Sequence, residues 1–504
     1  IEEVQEVLST DLIKQLSLPK IEERAEIADR AFRQFREMQT THGMDADKYT
    51  NAKLELKERL DDLRDELDEY LAEDYGVKID NEKTYTQWRN SHQPFHWFVE
   101  FYGIMNKGGF DVIIGNPPYV NSKSLGYAVQ SPESLKFPDI YGYVVLRSHH
   151  ITDQSGRCGF IVPLSLTFSF GFSDLREQLA HGGTHWFSSF DNIPAALFSG
   201  VSQRCTIWIS SSTDSDSFTT RLLRWRSAYR AFLLDNVTYN KSANGISTKT
   251  FGIPRLSNRF GAKLLSLHIK SCSSKPISSH STNGESAKLG FSTTARNFIS
   301  TYIEPPPVLQ ADNSSALAPS TCGWVTLPSN KKAFAALAIT SGDACFWYWL
   351  TRGDGFHVTN WLLKDLLAPI TSFPADHLHK LATIGELLHQ HRYSALVFKK
   401  NAGKYVGNFN YQKLLILTRR ADFVFLSGLG ASWADLRELF SFISMVRGIN
   451  QDAGEKNIPT SVKELFVPPD PIDSYTDCRL QEIDEWISTT YSIEPKLIGE
   501  ISSA

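Results

Sequence analysis

Residues Gly108–Val120 read Gly-Gly-Phe-Asp-Val-Ile-Ile-Gly-Asn-Pro-Pro-Tyr-Val. The apolar run Phe110–Ile114, bounded by glycines, is the pattern of a buried parallel strand. Asn116-Pro117-Pro118-Tyr119 follows at its carboxyl end, where open α/β sheets place their ligands. Two consecutive prolines fix φ and remove two backbone donors, which leaves the Asn116 and Pro117 carbonyls to point outward. A carboxamide oxygen, a bare carbonyl and a stacking phenol form a receptor for a planar amino group on a conjugated ring or amide. Such a nitrogen is a poor nucleophile, because its lone pair is delocalised. Two acceptors on its protons expose that pair, so methyl transfer to it requires positioning and hydrogen bonding and no strong base. The plain alternative is a Pro-rich turn, which Asn-Pro alone favours. The Phe-Asp-Val-Ile-Ile-Gly strand in front tips the reading toward function.

The stretch Phe110–Tyr119 resembles the catalytic motif of adenine-N6 DNA methyltransferases, specifically the large enzymes of fused (type IIG-like) restriction–modification and phage-defence systems. The same tetrapeptide serves glutamine and guanine-N2 methyltransferases, so the surrounding chain decides the substrate. The resemblance implies S-adenosylmethionine as cofactor and double-stranded DNA as partner. It implies catalytic roles for Asn116, Pro117, Pro118 and Tyr119, with Asn116 also on the cofactor. Phe198, in Leu-Phe-Ser-Gly-Val, matches a family aromatic that stacks on the extruded adenine opposite the motif tyrosine. Without the family, it reads as a loop phenylalanine capping the core. Tyr141 and Val144 match a segment lining the cofactor's adenine, although the family often has an aromatic where Val144 stands.

A chain of 504 residues has room for two or three domains. Its net charge is −4 but unevenly spread: residues 1–100 hold 14 Lys+Arg against 24 Asp+Glu, and the remainder 38 against 32. The mild basic excess lies after the motif, where DNA is expected to bind. The six cysteines form no Cys-x-x-Cys pair, which argues against a zinc site and a secreted disulfide framework. No apolar run reaches membrane-spanning length and no signal peptide opens the chain, so a cytoplasmic protein with no metal is expected. In the family a glycine-rich loop after the first strand cradles the methionine part of the cofactor. Upstream of Gly108, glycines 43, 76 and 103 follow no strand. The expectation is a carboxyl-terminal portion of a larger protein, or half of a split enzyme whose upstream polypeptide carries that loop.

The expected fold class is α/β. It comprises a partial Rossmann-like S-adenosylmethionine-dependent methyltransferase sheet, then a mixed α+β target-recognition region and a helical tail. Residues 1–90 read as a helical insertion, with Leu60, Leu63, Leu67 and Leu71 at helical spacing, a Lys57–Asp61 pair and Gly76 as C-cap; a hairpin is favoured over a coiled coil. Residues 91–212 form the catalytic domain. Its helix Ile140–Asp153, strand Gly159–Pro163, helix Ser173–His181 with Ser173 as N-cap, and strands Thr184–Phe190 and Arg204–Ser210 follow doubly wound order. Ser210–Ser217 reads as a linker. Residues 213–375 resemble a target-recognition domain in layout, where basic and aromatic residues interleave around Arg224, Arg226, Arg296 and 349–361. The reading of each cluster as a solvated arginine beside a core aromatic stands equally. Residues 376–504 read as helices 376–391, 411–426, 433–450 and 480–488, with a basic polar loop at Lys399, Lys400 and Lys404 suited to a phosphate backbone.

Three functions compete: a DNA adenine-N6 methyltransferase, a DNA-recognition module without activity of its own, and an RNA or amide amino-group methyltransferase. The long extension after the sheet speaks against the third. No nuclease pattern of paired carboxylates plus lysine stands out.

Overall fold

The computed structural model describes residues 46–125, 135–180, 183–200, 202–211, 216–242, 252–256, 258–272, 286–310, 316–317, 322–449, 469–472 and 477–503, with isolated residues between 23 and 37. Most of the expected helical stretch before residue 46 lies outside the described residues. The chain divides into two compact units, one of residues 1–160 with 210–213, the other of 161–209 with 214–504.

In the first unit, helix α1 (Ala46–Asp74) presents Leu60, Leu63 and Leu67 on one face, where they pack with Val99. The helix ends as expected: Gly76 takes φ +71°, and its N–H donates to the Glu73 carbonyl. Helix α2 (Glu82–His92) follows, N-capped by the Asn81 side chain, which accepts from the Thr84 N–H. The favoured hairpin is therefore present. Asp61 takes a hydrogen bond from Arg64 at 2.7 Å.

The buried Asp68 carboxylate ties these helices to the lead-in of the motif strand. It pairs with Arg89 Nε at 2.8 Å and with His96 Nε2 at 2.7 Å. Arg64 reaches Glu100 at 2.7 Å. Beyond this anchor, the Trp97 and Phe101 rings meet Phe110 edge-on, with centroids 5.8 and 5.1 Å apart.

Phe110 opens strand β1 (Phe110–Gly115). Helix α3 (Ile140–His150) and strand β2 (Thr152–Pro163) follow, and β1 pairs with β2 in parallel. The helix stops before the expected Asp153 because β2 begins much earlier than the apolar run at Gly159 suggests. Gly115 lies opposite Phe160, and a Cβ there would sit 3.1 Å from the Phe160 ring, a tight contact that the ring would have to yield to. The expectation of a buried strand is corrected. Val112 is 59% and Ile114 78% exposed, because β1 is the terminal strand of its sheet and pairs on one side with β2.

The second unit holds helix α4 (Ser173–Leu179) and strands β3 (Thr184–Phe190), β4 (Cys205–Ser211), β5 (Ser217–Leu223) and β6 (Asn240–Lys241). The expected N-cap is displaced by one residue: Phe172 holds that position, and Ser173 Oγ donates back to the Phe170 carbonyl. The sheet has six strands in the order β1-β2-β4-β3-β5-β6. Its β3–β5 pair is parallel and its β5–β6 pair antiparallel, so the architecture is mixed α/β.

Strands of this one sheet flank the serine-rich stretch expected to be a linker, whose residues 212–215 lie outside the described set. Polar residues misled the reading. Thr219 and Thr220 are buried, and Thr220 Oγ1 accepts from the Ser189 N–H at 3.0 Å, so this strand is polar in sequence and interior in place.

The rest of the second unit shares one apolar core running from Leu164 to Ile498. Strands β7 (Ala287–Ser292), β8 (Thr301–Tyr302), β9 (Val308–Gln310), β10 (Ala316–Leu317) and β11 (Cys322–Leu327) precede a series of helices. Of these, the helix Asp343–Arg352 is buried at all ten positions. The basic–aromatic stretch expected near 349–361 to touch DNA is therefore largely core.

The expected loop at Lys399–Lys404 is also corrected. It is a hairpin of β12 (Leu396–Asn401) and β13 (Lys404–Phe409), turning through Ala402 (φ 46°) and Gly403 (φ 76°). Strand β13 pairs with β9, so one sheet crosses the expected boundary at residues 375 and 376.

Candidate active site

The motif leaves β1 at Gly115. Pro117 is buried, whereas Asn116 and Pro118 are exposed and Tyr119 half-buried. The missing proline donors prevent this segment from continuing the ladder, and it runs on as irregular chain into Asn121. The Tyr119 hydroxyl donates to Asn116 Oδ1 at 2.8 Å. The motif's amide oxygen and its phenol therefore face one another.

The far side of the motif is pinned. The Ile140 N–H donates to the Val120 carbonyl at 2.9 Å, and Ser122 Oγ donates to the Phe137 and Pro138 carbonyls at 2.7 and 2.8 Å. Asn121 forms a bridge with Asp139, whose carboxyl burial pushes above the ordinary carboxylate range. The loop ends are thus fixed against the start of α3.

Tyr141 meets Tyr119 edge-on at 6.3 Å but is itself fully buried, and Val144 is partly buried. A side chain with no exposed surface does not line a cofactor, so in this structure Tyr141 is a support beneath Tyr119. Of the other residues expected to line S-adenosylmethionine, Asn116 is exposed and Val144 half-buried.

In the second unit, the loop after β3 begins at Asp191, which is 1% exposed. Its two carboxylate oxygens each receive a guanidinium at 2.8 Å, Oδ1 from Arg204 Nε and Oδ2 from Arg224 Nε. Desolvation draws the Arg224 pKa down, opposed by Asp191. Arg224 also donates to the Arg296 carbonyl and lies 6.0 Å over the Trp349 ring. The expectation that Arg224 meets DNA is corrected, because its charge is committed inside the protein. No spacing rule distinguishes it from Arg226 two residues on, which is exposed.

The same loop carries Phe198, half-buried. Arg230, which the sequence reading missed, donates to the Leu197 and Ala196 carbonyls at 2.8 and 2.9 Å. Elsewhere Arg296, Lys399 and Lys400 are exposed. Lys399 Nζ lies 5.6 Å over the Phe298 ring, and although the residue as a whole is exposed, partial desolvation of its ammonium together with the Arg296 charge lowers its pKa. Among the described residues no cluster of potential metal ligands exists, and no helix is long and apolar enough to cross a membrane.

Residues 19–185 match the profile of the family described as Eco57I restriction-modification methylase. The chain is 33% identical over 156 residues to a putative type II restriction enzyme and methyltransferase, RM.MjaORFECS2P, of Methanocaldococcus jannaschii. That match covers 28% of this chain and 12% of the relative, so the chain spans a small part of that protein's length. Among solved structures it is similar to the type IIL restriction-modification enzyme MmeI in complex with DNA. The identity is 11% and the TM-score 0.34, over 68% of this chain and 57% of that one. It is also similar to the DrdV–DNA complex, at 11% identity and a TM-score of 0.32 over 71% and 58% of the two chains. The matched residues 19–185, about a third of the chain, hold the Asn116-Pro117-Pro118-Tyr119 motif.

Proposed function

We propose that this chain is part of an enzyme that methylates adenine N6 in double-stranded DNA within a restriction–modification system. The observation that carries the reading is the paired Asn116 amide oxygen and Tyr119 phenol at the end of β1, inside the segment that matches the family. In this role an extruded adenine enters the motif. Asn116 Oδ1 and the Pro117 carbonyl accept its two amino protons, and the Tyr119 ring stacks on its face. Holding both protons moves the nitrogen toward sp3 and directs its lone pair outward. Extrusion costs a few kcal/mol of unstacking, which ring stacking offsets.

The family implies S-adenosylmethionine as methyl donor. The terminal place of β1 in its sheet, with β2 as its one paired neighbour among the described residues, supports a further proposal. On this reading an additional polypeptide segment pairs beside β1 and brings the cofactor-binding loop. Arg226, Arg296, Lys399 and Lys400 are the phosphate-facing side chains, and Arg224 is left out. Phe198 remains the proposed stacking residue of the second unit.

The test is transfer of radiolabelled methyl from S-adenosylmethionine to duplex DNA by the intact natural protein. Asn116→Ala should lower the rate by two to three decades, the usual scale for losing one preorganised hydrogen-bonding group, with duplex affinity nearly unchanged. Full activity in that variant would refute the assignment.

A further inference from the structure

The segment after β5 has an unusual surface. Residues Ser227–Phe232 form a 3-10 turn, and Tyr229, Phe232 and Leu234 are 61%, 61% and 64% exposed. In such a turn side chains three apart eclipse, so Tyr229 and Phe232 lie on one line. With a rise of about 2 Å per residue, their ring positions differ by about 6 Å along the turn. That is close to two nucleotide steps of about 3.4 Å. Arg226, one turn earlier, is also exposed. Among residues 221–241 the exposed bases Arg226, Arg230 and Lys241 stand against the single acid Asp235.

The turn is built onto the Phe198 loop. Arg230 bonds the carbonyls of the two residues preceding Phe198, and its guanidinium lies 4.9 Å over the buried Trp225 ring. Its charge and fork are used for this attachment. The two aromatic rings are not needed for it and face solvent.

We propose that the turn Arg226–Leu234 is a platform for an unpaired stretch of nucleic-acid strand, stacking bases on Tyr229 and Phe232 and pairing a phosphate with Arg226. Aromatic faces accept any base, and the excess of basic over acidic side chains suits a backbone rather than an apolar peptide. The proposal extends the reading of Phe198 as a base-stacking residue. An extruded adenine leaves its neighbours and its former partner unstacked, and a surface joined to the Phe198 loop is placed to receive one of them.

The experiment is fluorescence anisotropy of the full chain with a labelled twelve-nucleotide oligothymidine across a salt series. Tyr229→Ser with Phe232→Ser should weaken binding by about tenfold or more, given the usual contribution of stacking per base. The slope of log affinity against log salt should stay the same. Arg226→Gln should instead flatten that slope by about 0.7. Both rings are exposed, so the fold should survive, and Tyr229→Trp with Phe232→Trp should bind at least as tightly as the natural residues. Unchanged affinity in the serine variant, or no oligothymidine binding by the wild-type chain, overturns the platform. Asn116→Ala should bind the oligonucleotide normally, so loss of the methylation reading and loss of the platform are separately scored.

Discussion

Arg224 decides between two uses of the same basic side chain. Its side chain is 4% exposed and that of Asp191 is 1% exposed. Removing one partner of a buried ion pair costs about 3–5 kcal/mol, because the other charge is stranded. Asp191 retains Arg204 at 2.8 Å, which places Arg224→Ala at the lower end, near 3 kcal/mol. The lost bond to the Arg296 carbonyl and the contact with the Trp349 ring work in the same direction. For a unit of this size, about 2 °C of melting temperature per kcal/mol gives a fall of roughly 6 °C. The assay is thermal unfolding of the full chain, alongside duplex affinity measured across a salt series. A residue that neutralises one phosphate of B-DNA changes the slope of log affinity against log salt by about 0.9. Arg224→Ala should leave that slope unaltered. A slope change of that size with an unchanged melting temperature would refute the assignment of Arg224 to the interior.

Further outcomes follow from the same structure. If the proposed function holds, Phe198→Ala should reduce the fluorescence gain of 2-aminopurine at the target position and slow methylation more than it weakens binding, with a smaller defect opposite an abasic site. Equal gain in both proteins would make Phe198 a packing residue only. Asp68→Asn, which removes the carboxylate charge and turns one of the two oxygens that meet His96 and Arg89 into an NH2 donor, should cost about 1.5–3 kcal/mol and raise hydrogen exchange in the peptide spanning residues 96–110. Unaltered exchange there would show that the helical hairpin does not brace the motif strand. The Asp422 carboxyl is raised to about 7 by burial and by the nearby Asp343 charge. The folded chain therefore keeps a proton that the unfolded chain releases near the ordinary value of about 4, and stability drops as pH climbs between these two values. Asp422→Asn should flatten that slope, so the difference in melting temperature between variant and wild type should change from pH 5 to pH 7.5. A constant difference across that range would contradict the shift.

The motif strand, its parallel pairing and the β3 and β4 strands were legible because their apolar runs are short and bounded. The exposure of β1 was not, since Val112 and Ile114 look the same in sequence whether a neighbour covers them or not. Polar strands escaped notice for a related reason. Ser217–Leu223 satisfies its hydroxyls through partners far away in sequence, such as the Ser189 N–H. The hairpin at Leu396–Phe409 did carry a signal that went unused. Leu396, Phe398 and Lys400 alternate with Val397, Lys399 and Asn401, and Ala402-Gly403 form a two-residue turn. Lysines at its tip drew attention to charge and away from period. In the site, motif chemistry named Asn116 and Tyr119, but neither the inward turn of Arg224 nor the Arg230 clamp has a local signature.

The bond from Tyr119 to Asn116 also bears on which guests the motif admits. With nothing bound, each polar group already serves as the other's placeholder. An incoming amino group exchanges one hydrogen bond for another at Asn116 Oδ1, so entry is nearly neutral there. A guest that presents a carbonyl at the same edge, as hypoxanthine does in place of adenine, sets lone pair against lone pair. On the proposed function, the resting hydrogen bond acts as a reference against which each candidate base is weighed before chemistry begins.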